Sequence, residues 1–130
     1  MHDKVGYWLD LADEDVPVVK LLLDGKKYLH AGFFCHLIAE KALKAMVASV
    51  TSEIPPKIHD LAKLAEQSGI FDELSEQQLN LLKELNPLNI GARYPDYKER
   101  IAKNLSSKTA ARIFTETEDF LCWIKQRLRK

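Results

Sequence analysis

The sequence predicts an all-α fold, an up-and-down helical bundle of about five helices in which four long ones form the core. Three observations predict it. Apolar residues recur at three- and four-residue steps in five separate segments. No segment sustains the two-residue alternation of a half-buried strand. The joints between segments carry glycine, proline or a serine cap, the residues that stop and start helices.

The first segment runs from about Lys4 to Asp24, with Trp8, Leu9, Ala12, Val16, Val19, Leu22 and Leu23 on one stripe. Pro17 falls inside it and removes a backbone donor, which predicts a kink or short break. Asp24-Gly25 predicts the end of the helix, with glycine in the left-handed conformation. The second segment, Tyr28 to Val50, is the most hydrophobic and reads as the central helix. Its polar residues His30, His36, Glu40, Lys41 and Lys44 fall within one arc of about 140° at 100° per residue. Phe33 and Leu37 share that arc, so it does not read as a plainly solvated face. The loop Ser52-Glu53-Ile54-Pro55-Pro56 forbids helix continuation.

A third, shorter helix is expected over about Ile58 to Ser68, ending at Gly69. Ser75-Glu76-Gln77-Gln78 has the capping-box spacing and predicts the start of a fourth, carrying Leu79, Leu82, Leu85 and Leu88. Pro87 is expected to distort its end. The segment GARYPDYKER, residues 91–100, reads as the following turn: Gly91 relaxes it and Pro95 pushes Tyr94 out of helical geometry. From Ser106 onward Ala110, Ile113, Phe114, Thr117, Phe120, Leu121, Trp123 and Ile124 predict a long amphipathic helix. It closes on Lys125, Arg127, Arg129 and Lys130, cations placed where the negative end of the helix dipole favours them.

The 130 residues suffice for one domain over 1–130 with a core of its own, without metal or disulfide support. Hydrophobic residues at 46% and charged residues at 29% fit a globular chain rather than a disordered one. Lys plus Arg equals Asp plus Glu at 19 each, which argues against tight, sequence-blind binding to a nucleic-acid backbone. Cys35 and Cys122 form no C-x-x-C pair and are expected to be buried, reduced thiols. Met1–Asp10 is polar and lacks the apolar stretch of a signal peptide, and no run is long enough to span a membrane. The expected compartment is the cytoplasm.

His36, Glu40 and Lys44 recur at four-residue steps on one helix face. A di-metal bundle repeats Glu-x-x-His on several helices. No such motif occurs here, so neither metal nor cofactor is expected. Glu40 and Lys44 have the favourable orientation of a helical ion pair, and if their face is buried the three become an interhelical polar network. In Pro55-Pro56-Lys57-Ile58-His59-Asp60-Leu61, Asp60 suits the positive end of a helix. The functional alternative is a pocket rim where Lys57, His59 and exposed backbone amides meet a phosphate. Phosphate-cradling glycine loops and nucleophile elbows are absent.

An ordered set of fragments along nearly the whole chain resembles the HEPN domain family, the higher eukaryotes and prokaryotes nucleotide-binding domain. The fragments are Tyr7-Trp8-Leu9 with Ala12, Asp15 and Leu21-Leu22; Tyr28 through Phe33, Phe34 and His36; and Ala39-Glu40-Lys41-Ala42-Leu43-Lys44-Ala45. Pro55-Pro56-Lys57, His59-Asp60-Leu61 and Ala92-Arg93-Tyr94-Pro95-Asp96 follow, before the last amphipathic helix. The resemblance implies an all-α bundle that commonly dimerises and often acts beside a minimal nucleotidyltransferase in prokaryotic toxin–antitoxin or defence modules. Many members are metal-independent ribonucleases with an R-x(4–6)-H motif. Here the first arginine is Arg93 and the last histidine is His59, so no arginine precedes any histidine and the motif is absent at every spacing.

The sequence instead fits the branch carrying Arg-Tyr-Pro-Asp, which implies a non-catalytic binding or partner module. Its expected groove draws on His36, Glu40 and Lys44, on Lys57 and His59, and on Arg93 and Tyr94, holding a nucleotide or an RNA end. Arg93 is suited to grip a phosphate with two hydrogen bonds and Tyr94 to stack on a base. The alternative is a metal-independent ribonuclease toxin with a divergent active site, in which Arg93 meets a histidine, His59 or His36, in reversed order.

Overall fold

Residues 3–51, 57–93 and 105–129 are described in the computed structural model. They form five α-helices and no strand: α1 (Asp3–Asp24), α2 (Tyr28–Val50), α3 (Leu61–Ser68), α4 (Glu76–Arg93) and α5 (Ser107–Leu128), with a 3-10 turn at Phe71–Glu73 after α3. The predicted all-α bundle with four long helices is what forms.

From Cys35 to Ala48 α2 is buried nearly all round, His36, Glu40 and Lys44 included, and it packs against each of the other four helices. Cys35, Ile38, Ala39, Ala42 and Leu43 are closed off from solvent along it. Val19 of α1, Leu61 and Leu64 of α3, Leu81, Leu82 and Leu85 of α4, and Phe120 and Ile124 of α5 complete the core around that axis. Gly32 lets α4 approach closely: a Cβ there would lie 2.8 Å from a Leu88 methyl. Outside the core, ion pairs tie the helices together, Lys41 to Asp15 and Lys125 to Asp13, each at 2.6 Å.

Several helix ends follow their local chemistry. The Ser75 hydroxyl accepts from the Gln78 amide while the Gln78 side chain accepts from the Ser75 amide, a complete capping box. The Ser106 hydroxyl accepts from the Thr109 amide. Gly69 takes the left-handed conformation, φ 81°, at the end of α3.

Four expectations are corrected. Lys26, not Gly25, is the left-handed residue after α1, with φ 61°. The Lys27 amide reaches the Leu22 carbonyl and the Lys26 amide the Leu23 carbonyl, a Schellman closure that fixes the left-handed position at 26. α1 runs through Pro17, so the break expected as one alternative there does not occur, and α4 likewise continues through Pro87. Both prolines are exposed, and so are Asp13 and Lys83 four residues earlier, so water can satisfy the carbonyls they free. α3 begins at Leu61 rather than Ile58, because Asp60 caps it. Cys122 is exposed, and only Cys35 is buried.

α4 also continues through Gly91 and Ala92 to Arg93, so the first part of GARYPDYKER is helical. Tyr94, Pro95 and Asp96, like the loop Ser52–Pro56, lie outside the described residues.

Candidate functional site

Glu40 is the centre of the candidate site. It projects from the middle of α2, 5% exposed, with His36 one turn before it (0%) and Lys44 one turn after it (7%). A carboxylate buried this deeply needs partners for both oxygens. Oε2 accepts from the Lys44 ammonium at 2.9 Å, and Oε1 accepts from Nδ1–H of His59 at 2.9 Å. Burial pushes the Glu40 carboxyl up, but the hydrogen bonds from His59 and Lys44 and their charges outweigh it, leaving the group below its ordinary value. The Lys44 ammonium also stands 5.3 Å above the Trp8 ring of α1, a cation–π contact on its remaining side.

His59 arrives from the connection before α3 and is anchored twice. Its ring is bound to Glu40, and its backbone carbonyl accepts from Nε2–H of His36 at 3.0 Å. A carbonyl only accepts, so His36 carries a proton on Nε2. Its Nδ1 lies 3.6 Å from Glu40 Oε1. The buried triplet of α2 thereby holds an imidazole at the surface, 46% exposed, with Nε2 on the ring edge away from Glu40.

The start of α3 is closed to anions. The Asp60 carboxylate accepts from the amides of Ala62 and Lys63, and Asn86 of α4 accepts from the amide of Leu61 through its Oδ1. The Leu64 amide reaches the Asp60 carbonyl. No first-turn donor is left for a phosphate, which corrects the expectation of exposed backbone amides at this rim. The structural role expected of Asp60 is the one it performs.

Of the seven residues singled out from sequence, His36, Glu40, Lys44 and His59 therefore converge on one network. Lys57 is exposed two residues before His59 and has no ion pair among the described residues. Arg93 closes α4, and its side chain, like all of Tyr94, falls outside the description. The sequence reading missed Asn86 and Asn89. Together with His59 and Asp60 they line a cavity of about 240 Å³. The signal was present: two asparagines three residues apart, flanking Pro87, on a helix otherwise marked by leucines. A second cleft of about 250 Å³, between the start of α4 and α5, is lined by Gln78, Glu116, Asp119 and Trp123 among others and holds none of the seven. Among the described residues no group of three or more His, Cys, Asp or Glu is placed to hold a metal ion, and no helix is long and apolar enough to cross a membrane.

An all-α bundle is what the ordered fragments imply, and the family comparison agrees over residues 5–128, which match the HEPN domain. The chain belongs to the HEPN domain family. HEPN domains are nucleotide- and RNA-related and often dimerise. No curated protein and no solved structure matches the chain. Within this HEPN domain, the stripe and His59 account for the Ala-Glu-Lys-Ala-Leu-Lys and His-Asp-Leu fragments as parts of one assembly.

Proposed function

We propose that this HEPN domain is a non-catalytic, dimeric partner of a minimal nucleotidyltransferase in a prokaryotic toxin–antitoxin or defence module, with a polar groove that holds a nucleotide or an RNA end. One observation carries the ligand part: three buried groups of α2 are spent on fixing one imidazole at the rim of a cavity. A network confined to structural duty would have no need to present a half-exposed ring there. Lys44 is committed to Glu40 and Trp8, so phosphate contacts fall to Lys57 and Arg93. The absence of any arginine before a histidine supports the non-catalytic part.

Isothermal titration with nucleoside mono- and triphosphates is the test. Binding by the wild type that weakens about tenfold in Lys57→Ala or Arg93→Ala, the loss of one charge-assisted hydrogen bond, supports the groove. No heat with the wild type removes the ligand role and leaves the partner role standing, while affinities unchanged in both variants remove Lys57 and Arg93 as its phosphate contacts. Co-purification with the product of an adjacent reading frame tests the latter.

The ribonuclease alternative also has a specific observation in its favour. Glu40 fixes Nδ1–H of His59 as a carboxylate fixes a general-base histidine. Incubation of the purified protein with RNA under chelator decides it. Cleavage that disappears in both His59→Ala and Arg93→Ala establishes the enzyme, and intact RNA throughout eliminates it.

A further inference from the structure

The cavity beside His59 has a hydrogen-bonding character that narrows what it takes. Asp60 spends Oδ1 on two helix amides and leaves Oδ2 without a partner among the described residues. Asn86 spends its oxygen on the Leu61 amide, so its NH₂ is the donor that remains. With Nδ1–H committed to Glu40, the nitrogen His59 has left is Nε2, an acceptor in the neutral ring and a donor in the charged one. The cavity thus offers a carboxylate oxygen, an imidazole nitrogen and an amide donor side by side.

A phosphate is a poor match. The Asp60 carboxylate repels it, the first-turn amides of α3 are occupied, and Lys44 is turned inward onto Glu40. A flat base is also a poor match: no Phe, Tyr or Trp is among the described residues lining the cavity, and the one ring there, His59, is tied to Glu40 through its edge. At about 240 Å³ the cavity is also smaller than the roughly 300–1,000 Å³ of sites that engulf an entire ligand. It has room for one ring-sized piece of a larger molecule. The piece of a nucleotide that carries neighbouring neutral hydroxyls, each both donor and acceptor, is the ribose.

We infer that the cavity between His59, Asp60, Asn86 and Asn89 is a ribose subsite, which reads the 2′-hydroxyl and makes this protein selective for ribonucleotides or RNA over their deoxy counterparts. The inference rests on the reading that the groove holds a nucleotide. The carboxylate of Asp60 accepts from one hydroxyl, as acidic residues do for ribose in dinucleotide sites, while the Asn86 amide donates to the same or the adjacent oxygen. His59 hydrogen-bonds the second hydroxyl through Nε2. Lys57, exposed two residues before His59, is left for the phosphate.

Titration calorimetry with AMP, GMP, CMP and UMP, each against its 2′-deoxy form, isolates the single oxygen. The ribonucleotide is expected to bind about tenfold more tightly than its deoxy partner, the loss of one hydrogen bond to a charged acceptor. Asp60→Asn keeps the helix cap, since asparagine caps as well as aspartate, but replaces the free carboxylate oxygen with a donor or a neutral acceptor. It is expected to shrink the preference to within about twofold, chiefly by weakening the ribonucleotide, with the melting temperature preserved. Equal binding of both forms by the wild type overturns the ribose assignment while the nucleotide reading survives. Preference unchanged in Asp60→Asn also overturns it, because the discriminating acceptor then lies elsewhere. Binding of neither form by the wild type overturns the nucleotide reading itself and the subsite with it.

Discussion

Glu40 is the residue on which the candidate site depends, and its ionisation makes a testable demand. The folded state holds its carboxyl below the ordinary value of 4.5 through His59 and Lys44, against the opposing effect of burial. A depressed carboxyl contributes stability that is fully present above the unfolded-state value and is lost as the pH falls through the folded one. Glu40→Gln removes that contribution and leaves the Lys44 ammonium buried without its counter-charge, at a cost of about 3 kcal/mol near neutral pH. Urea unfolding of both proteins from about pH 7 down to about pH 3 should therefore show a gap that narrows below the ordinary carboxyl value. A gap of constant size across that range would mean that Glu40 is not ionised in the folded protein. The stripe itself was legible in the sequence, because His36, Glu40 and Lys44 recur at helical spacing among apolar neighbours. Its direction was not. The Glu40–Lys44 pair follows from one helix, but nothing in that helix says that Lys44 also meets Trp8 or that His59 takes the other oxygen of Glu40, since those partners are brought by α1 and by the chain before α3.

The helices were legible where local chemistry closes a helix end, through the hydroxyls of Ser75 and Ser106 and the left-handed backbone of Gly69. They were misread where a local rule met a packed or solvated context. Pro17 and Pro87 break helices in isolation at about 3 kcal/mol, yet α1 and α4 are held on both sides of them by packing against α2. The end of α1 shows how one residue of register is decided by hydrogen bonds rather than by composition. The Schellman bonds place the left-handed position at Lys26, one residue after the glycine that would adopt it without strain. A non-glycine residue there costs about 1–2 kcal/mol, offset in part by the extra freedom that glycine gives the unfolded chain. Lys26→Gly should accordingly stabilise the protein by about 0.5–1 kcal/mol, read as a higher denaturation midpoint with an unchanged slope. A loss of stability would show that the turn owes more to the Lys26 side chain than to its backbone.

At the scale of the whole molecule the pairing of elements, not their existence, is what the sequence left undetermined. The most apolar segment was recognisable as the central helix, and α2 does touch every other helix. That Asn86 of α4 would cap α3 and share a cavity with His59 depends on a packing between segments some 25 residues apart, which periodicity does not encode. The cysteines turn this architecture into a measurement. Cys35 lies in the centre of α2, 1% exposed, and burial pushes its thiol up to about 12, with a Thr117 hydrogen bond lowering it and Glu118 adding to the rise. Cys122 sits on the exposed side of α5. Because the thiolate is the reactive species, an alkylating reagent at about pH 8 should label Cys122 promptly and Cys35 only in the fraction of molecules that has opened. Freeing Cys35 means lifting α2 from the helices around it, so its opening should be global, slowing the reaction by at least about a thousandfold at the usual stability of a domain. The opening free energy obtained from Cys35 labelling should then equal that from urea unfolding, and Glu40→Gln should lower both by the same amount. Cys35 labelling that is insensitive to Glu40→Gln would place its exposure in a local motion of α5 against α2, and the bundle would not open as one cooperative unit.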